Sequence, residues 1–159
     1  MPVDKLDRLL AIEEIKQLKA RYFRFLDTKD WAGMATIFTD DAVFDARTAN
    51  SVSGVGEGDA AASNDWVYEG GSVIVDFIRE VTQPLTTAHH GHCHEIEILS
   101  ETDARGVIAM EDVIWDAPGA GGQKVLHGWG HYHEEYRRGQ GGRWQIRRSR
   151  LTRLNVILG

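Results

Sequence analysis

The chain has 159 residues, a formal net charge of −6 and a pI near 5.6. That length suits one domain over residues 1–159 around a single core, and the acidic balance argues against a nucleic-acid binder, which carries a basic surface. One cysteine, Cys93, excludes an intramolecular disulfide, and neither the opening MPVDKLDRLL nor any later stretch has the apolar length of a leader or a membrane span, so a cytoplasmic protein without a membrane partner is expected.

Asp4 is placed to cap a helix reaching about Leu26. Leu6, Leu9, Leu10, Ile12, Ile15, Leu18, Tyr22 and Leu26 recur at three- and four-residue steps, while Glu13, Glu14, Lys16 and Lys19 take the wet side. Asp30 caps a short second helix, Trp31 to Phe38, which Thr39-Asp40-Asp41 closes, and Ala42-Val43-Phe44-Asp45 reads as a strand. Residues 47–65 are small, polar and glycine-rich without a period; a loop of that length reads as a mobile lid, with mere slack as the alternative. Gly70-Gly71-Ser72 opens a third helix, with Ser72 as cap and Val73, Val75, Phe77 and Ile78 as its apolar content; Pro84 follows its end.

The period then changes. Four strands are expected near 86–99, 104–116, 125–138 and 143–157, separated by the turn-rich stretches 100–103, 118–122 and 139–142. Three helices followed by hairpin-linked strands predict an α+β fold with helices on one face of a largely antiparallel sheet.

All seven histidines fall between residues 89 and 133, four of them within His89-His90-Gly91-His92-Cys93-His94. Imidazole titrates closest to physiological pH, so the cluster points to acid–base chemistry. Strict alternation puts His90, His92 and His94 on one side of a strand and His89, Gly91 and Cys93 on the other. The first set, with His131 and His133, supports a metal reading, but Glu134 and Glu135 follow too closely to supply a glutamate ligand at the usual spacing. The preferred reading has no metal and no cofactor.

Tyr22 and Asp27 are five residues apart, about 140° round an ideal helix, and meet only if the helix end turns inward. Glu111-Asp112 interrupts an apolar strand; a carboxylate buried there needs a cation or a shifted pKa. On the last strand alternation puts Trp144, Ile146, Arg148 and Arg150 on one face, which makes an arginine there a partner for Asp112 or Asp27. The other late arginines read as a solvated strand face.

The stretch IEEIKQLKARYFRFLDTKDWAGMATIFTDDAVFD, with Tyr-x4-Asp at Tyr22 and Asp27, resembles the helical opening of SnoaL-like proteins of the NTF2-like superfamily. TTAHHGHCHEIEI, ARGVIAMEDVIWD, HGWGHYHEEYRR and GRWQIRRSRL resemble that family's strands in order. The resemblance implies a cone-shaped α+β barrel in which a curved sheet wraps the long helix around an apolar pocket. The branch most similar contains scytalone dehydratase and bile-acid 7α-dehydratase. There an aspartate orients a histidine that removes a substrate proton, which implies roles for Asp27, for Tyr22 beside it, and for His89 in Thr87-Ala88-His89. The doubled His89-His90 leaves the inward histidine open to a one-residue slip. Asp112 resembles the family's acidic position, and its last-strand arginine is Arg148 or Arg150. His90, Arg150, Trp129 and Tyr132 are expected to line the pocket. The implied function is a cofactor-independent dehydratase-like lyase, or an isomerase, acting by His–Asp general acid–base catalysis on a hydrophobic cyclic small molecule, in a homodimer. The alternatives are a non-catalytic small-molecule-binding module and, third, a His-rich metal protein.

Overall fold

The computed structural model describes residues 4–49, 65–119 and 121–159. Helix α1 spans Lys5–Thr28. Asp4 caps it by accepting the Leu6 N–H at 3.1 Å, which satisfies one of the donors a helix start leaves open. It ends at Lys29, whose left-handed backbone (φ 60°) turns its N–H back onto the carbonyls of Leu26 and Phe25. The buried face is Ala11, Ile15, Leu18, Lys19, Tyr22, Phe23, Phe25 and Leu26. Two expectations fail here: Leu6, Leu9 and Leu10 are exposed, and Lys19 is wholly buried.

Helix α2, Trp31–Met34, is a single turn started by Asp30, which accepts the Gly33 N–H at 2.8 Å. The expected continuation to Phe38 does not form, because Phe38 pairs with Ile146 and opens strand β1, Phe38–Asp45. Thr39-Asp40-Asp41 is therefore strand, with sheet pairing overriding a local turn signal. Strand β2, Val67–Glu69, is too short to show a period and was not expected. Helix α3, Gly71–Thr82, is preceded by Gly70 at φ 100°, a conformation that favours glycine; Gly70 is the cap position, and Ser72 lies inside the helix. Strands β3 (Thr86–Ile98), β4 (Asp103–Trp115), β5 (Lys124–Arg138) and β6 (Trp144–Leu158) each lie within one residue of the expected bounds.

The sheet order is β2-β1-β6-β5-β4-β3, antiparallel except for the β1–β6 pair. Helix α1 packs against β3 and β6, and α3 against β1 and β2. Helices and curved sheet form the cone-shaped α+β fold, left open between the edge strands β2 and β3. The lid expected over 47–65 falls largely on residues 50–64, outside the described residues. Among the described residues no helix is long and apolar enough to cross a membrane.

Two bulges decide which side chains enter the cone. In β3, Gly91 lies opposite Met110 but His94 lies opposite Ile108, so one residue is extra and the alternation reverses. Thr87, His89 and Gly91 face inward before the bulge; His94, Ile96 and Ile98 do so after it. In β6, Ile146 lies opposite Tyr136 and Arg148 opposite Glu135, which leaves Arg147 extra. Ser149, Leu151 and Arg153 are consequently buried, and Arg148 and Arg150 are exposed.

A charge pair lies in the deep core. Lys19 Nζ lies 2.6 Å from Glu134 Oε1, with both side chains fully buried. Tyr136 and Ser149 donate their hydroxyls to the same carboxylate at 2.7 and 3.0 Å. The ammonium stands 3.5 Å from the Tyr132 ring centre and 4.1 Å from that of Tyr22, so cation–π attraction adds to the pairing. Burial lowers the Lys19 pKa, and the Glu134 charge opposes that shift.

Candidate active site

Asp27, in the last turn of α1, faces β3. Its Oδ1 accepts the Thr87 hydroxyl at 2.9 Å and lies 2.7 Å from His89 Nδ1. Its Oδ2 accepts the His89 backbone N–H at 2.8 Å. Lys29 Nζ, one residue past the helix, donates to Thr87 Oγ1 at 3.1 Å. The expected inward turn of the helix end is not needed: Asp27 lies within the regular helix, which runs to Thr28, and reaches β3 from there. A proton on Nδ1 satisfies Asp27 and leaves the lone pair of His89 on Nε2, a tautomer assigned from the partner. The His89 side chain is 8% exposed, and its ring lies nearly parallel to that of Phe23, 10° between planes.

His89 lines a cavity of about 230 Å³. Tyr22, Tyr132, Asp112 and Arg153 supply the rest of its polar wall; Leu26, Phe44, Phe77, Ile78, Ile114 and Leu151 are among its apolar lining. Burial raises the pKa of both phenols. Both therefore stay protonated near neutral pH and serve as hydrogen-bond donors.

Asp112 and Arg153 form a two-pronged pair, with Arg153 Nη1 2.6 Å from Oδ1 and Nη2 2.7 Å from Oδ2. Both side chains are 4% exposed. Arg153 Nε donates to the Ala49 carbonyl at 2.8 Å. Gly128, on the neighbouring strand, makes room for the pair: a Cβ there would stand 2.5 Å from Nη1 and 2.6 Å from Oδ1.

Several expected lining residues are elsewhere. Arg148 is exposed on the outer face, its Nε 3.9 Å from Glu135 Oε1, and Arg150 is exposed on that face too. The β6 bulge is the cause, and Arg153 takes the interior place. Its only sequence signal was an extra residue that alternation cannot show. Trp129 sits opposite Glu111 and Asn155 on the outer face, its ring centre 4.0 Å from that of His127. His90 is exposed beside Glu111, and His89 is the inward member of the doubled histidines. Lys19 and Glu134, neighbours of the two tyrosines, were also missed as interior charges.

The triple His90, His92 and His94 does not converge, because the β3 bulge turns His94 inward and leaves the other two outside. On the outer face His127 Nε2 and His92 Nε2 approach Glu111 at 2.6 and 3.5 Å. Among the described residues no group of three or more His, Cys, Asp or Glu side chains is arranged to hold a metal ion. A larger outer groove of about 860 Å³ runs over β1 and β3–β6. Its charges meet each other, as in Arg47–Asp45 at 2.6 Å and Arg105–Glu97 at 2.7 Å, and none of its lining belongs to the Asp27–His89 wall.

A family model described as a SnoaL-like domain matches residues 7–150. Among solved structures, a protein of Novosphingobium aromaticivorans assigned as a scytalone dehydratase superposes with a TM-score of 0.74 at 15% identity, over 95% of this chain and 89% of that one. A hexachlorocyclohexane dehydrochlorinase, LinA type 2, gives 0.74 at 21% identity, over 98% and 93%. The LinA type 3 dehydrochlorinase of Novosphingobium barchaimii gives 0.71 at 20%, over 98% and 94%. At these identities the likeness to the solved structures is one of fold.

Proposed function

The chain belongs to the SnoaL-like domain family of the NTF2-like superfamily, and from that premise we propose that it is a cofactor-independent lyase of the dehydratase type, or an isomerase, acting on a hydrophobic cyclic small molecule. The observation that carries the reading is the 2.7 Å contact between Asp27 and His89 Nδ1, on a histidine that lines an apolar cavity. The names of the similar proteins, a dehydratase and two dehydrochlorinases, are those of elimination catalysts, which supports the same reading.

His89 Nε2 takes a proton from a substrate carbon next to a carbonyl or a leaving group. Asp27 holds the imidazole in the useful tautomer and offsets the charge it gains. Tyr22, kept protonated by burial, donates to the carbonyl or leaving oxygen, with Tyr132 beside it. In an elimination the C–H electron pair becomes the new C=C bond, and the leaving oxygen departs with its bonding pair and a proton from Tyr22. In an isomerisation His89 returns its proton to a different carbon. The Asp112–Arg153 pair, standing where Arg148 was expected, holds the polar end of the cavity in one geometry against which the substrate is positioned.

The test needs no identified substrate. Neutral cyclic ketones such as cyclohexanone and 3-hydroxycyclohexanone, incubated with the protein in D₂O, are followed by NMR for exchange of the α-protons and loss of water. His89→Ala is expected to slow exchange about 10²–10⁴-fold, the usual worth of positioned acid–base catalysis, with an unchanged circular dichroism spectrum. Equal rates for the variant and the unaltered protein would dispose of the proposal.

A further inference from the structure

The cavity holds a permanent cation that has no charge to spare. Arg153 is the one arginine or lysine among the described lining residues. Both of its terminal nitrogens are engaged by Asp112, at 2.6 and 2.7 Å, and its Nε is engaged by the Ala49 carbonyl. A free guanidinium at the base of an apolar pocket is a ready receptor for a carboxylate. This one is already occupied by a carboxylate from its own sheet. An incoming anion meets the Asp112 carboxylate as well as Arg153 and loses its hydration, against a guanidinium whose charge is already balanced. Gly128 shows that the arrangement is built in: any side chain there would press on Arg153 Nη1 and Asp112 Oδ1 together.

We infer that Asp112 is the charge-selectivity residue of this cavity: by satisfying Arg153 it restricts the pocket to neutral ligands with one hydrogen-bonding end, and its removal turns the pocket into a carboxylate receptor. The inference deepens the function proposed above, since it names the ligand class of the same site. Cavity size points to a small occupant. About 230 Å³ lies below the ~300–1,000 Å³ usual for drug-sized ligands, so single-ring probes are appropriate.

Benzamide and benzoate share a shape and differ in charge, and both can be titrated by calorimetry and by ligand-observed NMR. The unaltered protein is expected to bind benzamide at least tenfold more tightly than benzoate. In Asp112→Asn the order reverses, with benzoate gaining roughly tenfold to a hundredfold, the worth of a charge-assisted hydrogen bond. Should that variant fail to fold, the double variant Asp112→Leu with Arg153→Met removes both charges at similar volume and is expected to keep the preference for benzamide. Equal binding of the two probes by the unaltered protein overturns the inference. So does a folded Asp112→Asn with no gain for benzoate, a double variant that prefers benzoate, or a cavity that binds neither probe. A charge preference that behaves as described while the D₂O exchange test is negative keeps this inference and sinks the catalytic reading.

Discussion

The two faces of strands β3 to β6 use the same side-chain types under different physics. On the inner face every charge described has a fixed counterpart: Asp27 with His89, Asp112 with Arg153, Lys19 with Glu134. On the outer face His90, His92, His127, His131 and His133 project among carboxylates and arginines that water also reaches. Arg105 and Glu97 are paired at 2.7 Å, yet both side chains are more than half exposed. Pairing inside is obligatory, because a lone buried charge has nothing else to turn to. Pairing outside is optional, because solvent replaces a lost partner at little cost. Chemistry that depends on one fixed geometry therefore belongs to the inner set.

The sharpest way to break that contrast is at Lys19. Lys19→Met leaves Glu134 buried without its cation and is expected to cost about 3–5 kcal/mol in urea unfolding. Adding Glu134→Leu should recover most of the loss, whereas Arg105→Met on the outside should leave the midpoint nearly unchanged. A mild Lys19→Met, or a double variant no better than the single, would mean that the inner pair is as replaceable as the outer one. A smaller effect is expected from Gly128→Ala, whose methyl must displace the Asp112–Arg153 pair. Overpacking of this kind costs about 1–3 kcal/mol and should appear as a lower melting temperature. A neutral result there would show that the pair has room to shift.

The smallest effect concerns acid. Burial, together with the positive charges of Lys16 and Lys19, lowers the pKa of His94; burial does the same for His133. A folded value below the ordinary 6.5 means that the unfolded chain takes up protons first as pH falls. The stability these residues contribute is present above about pH 6.5 and is lost as pH drops through the folded values. His94→Gln should flatten the decline in unfolding free energy between about pH 7 and 5. An unchanged slope would remove His94 from the account.

The long elements and the Asp27–His89–Tyr22 set were legible because each rests on a local signal: a 3.6-residue period, turn residues between strands, or a short motif. What stayed hidden depends on count or on distant partners. One extra residue at Arg147 exchanges Arg148 and Arg150 for Ser149, Leu151 and Arg153, and alternation read from composition has no means of registering it. The bulge in β3 likewise separates His94 from His90 and His92. Lys19 stands four residues after Ile15 and three before Tyr22, so period alone puts it on the buried face. Its charge argued otherwise, and the carboxylate that overrules that argument lies 115 residues away. β2 had too few residues to carry any pattern.

Strand β3 ends the sheet, so the amides along its free side have no neighbouring strand to meet. The His89 N–H is one of these, and Asp27 takes it at 2.8 Å. Open rims of this kind invite a stranger's backbone to add on. The carboxylate that holds the imidazole thus also covers a backbone donor on the rim, and the tip of α1 must be seated for both contacts. Undocking that tip would part Asp27 from His89 and bare the rim in a single movement.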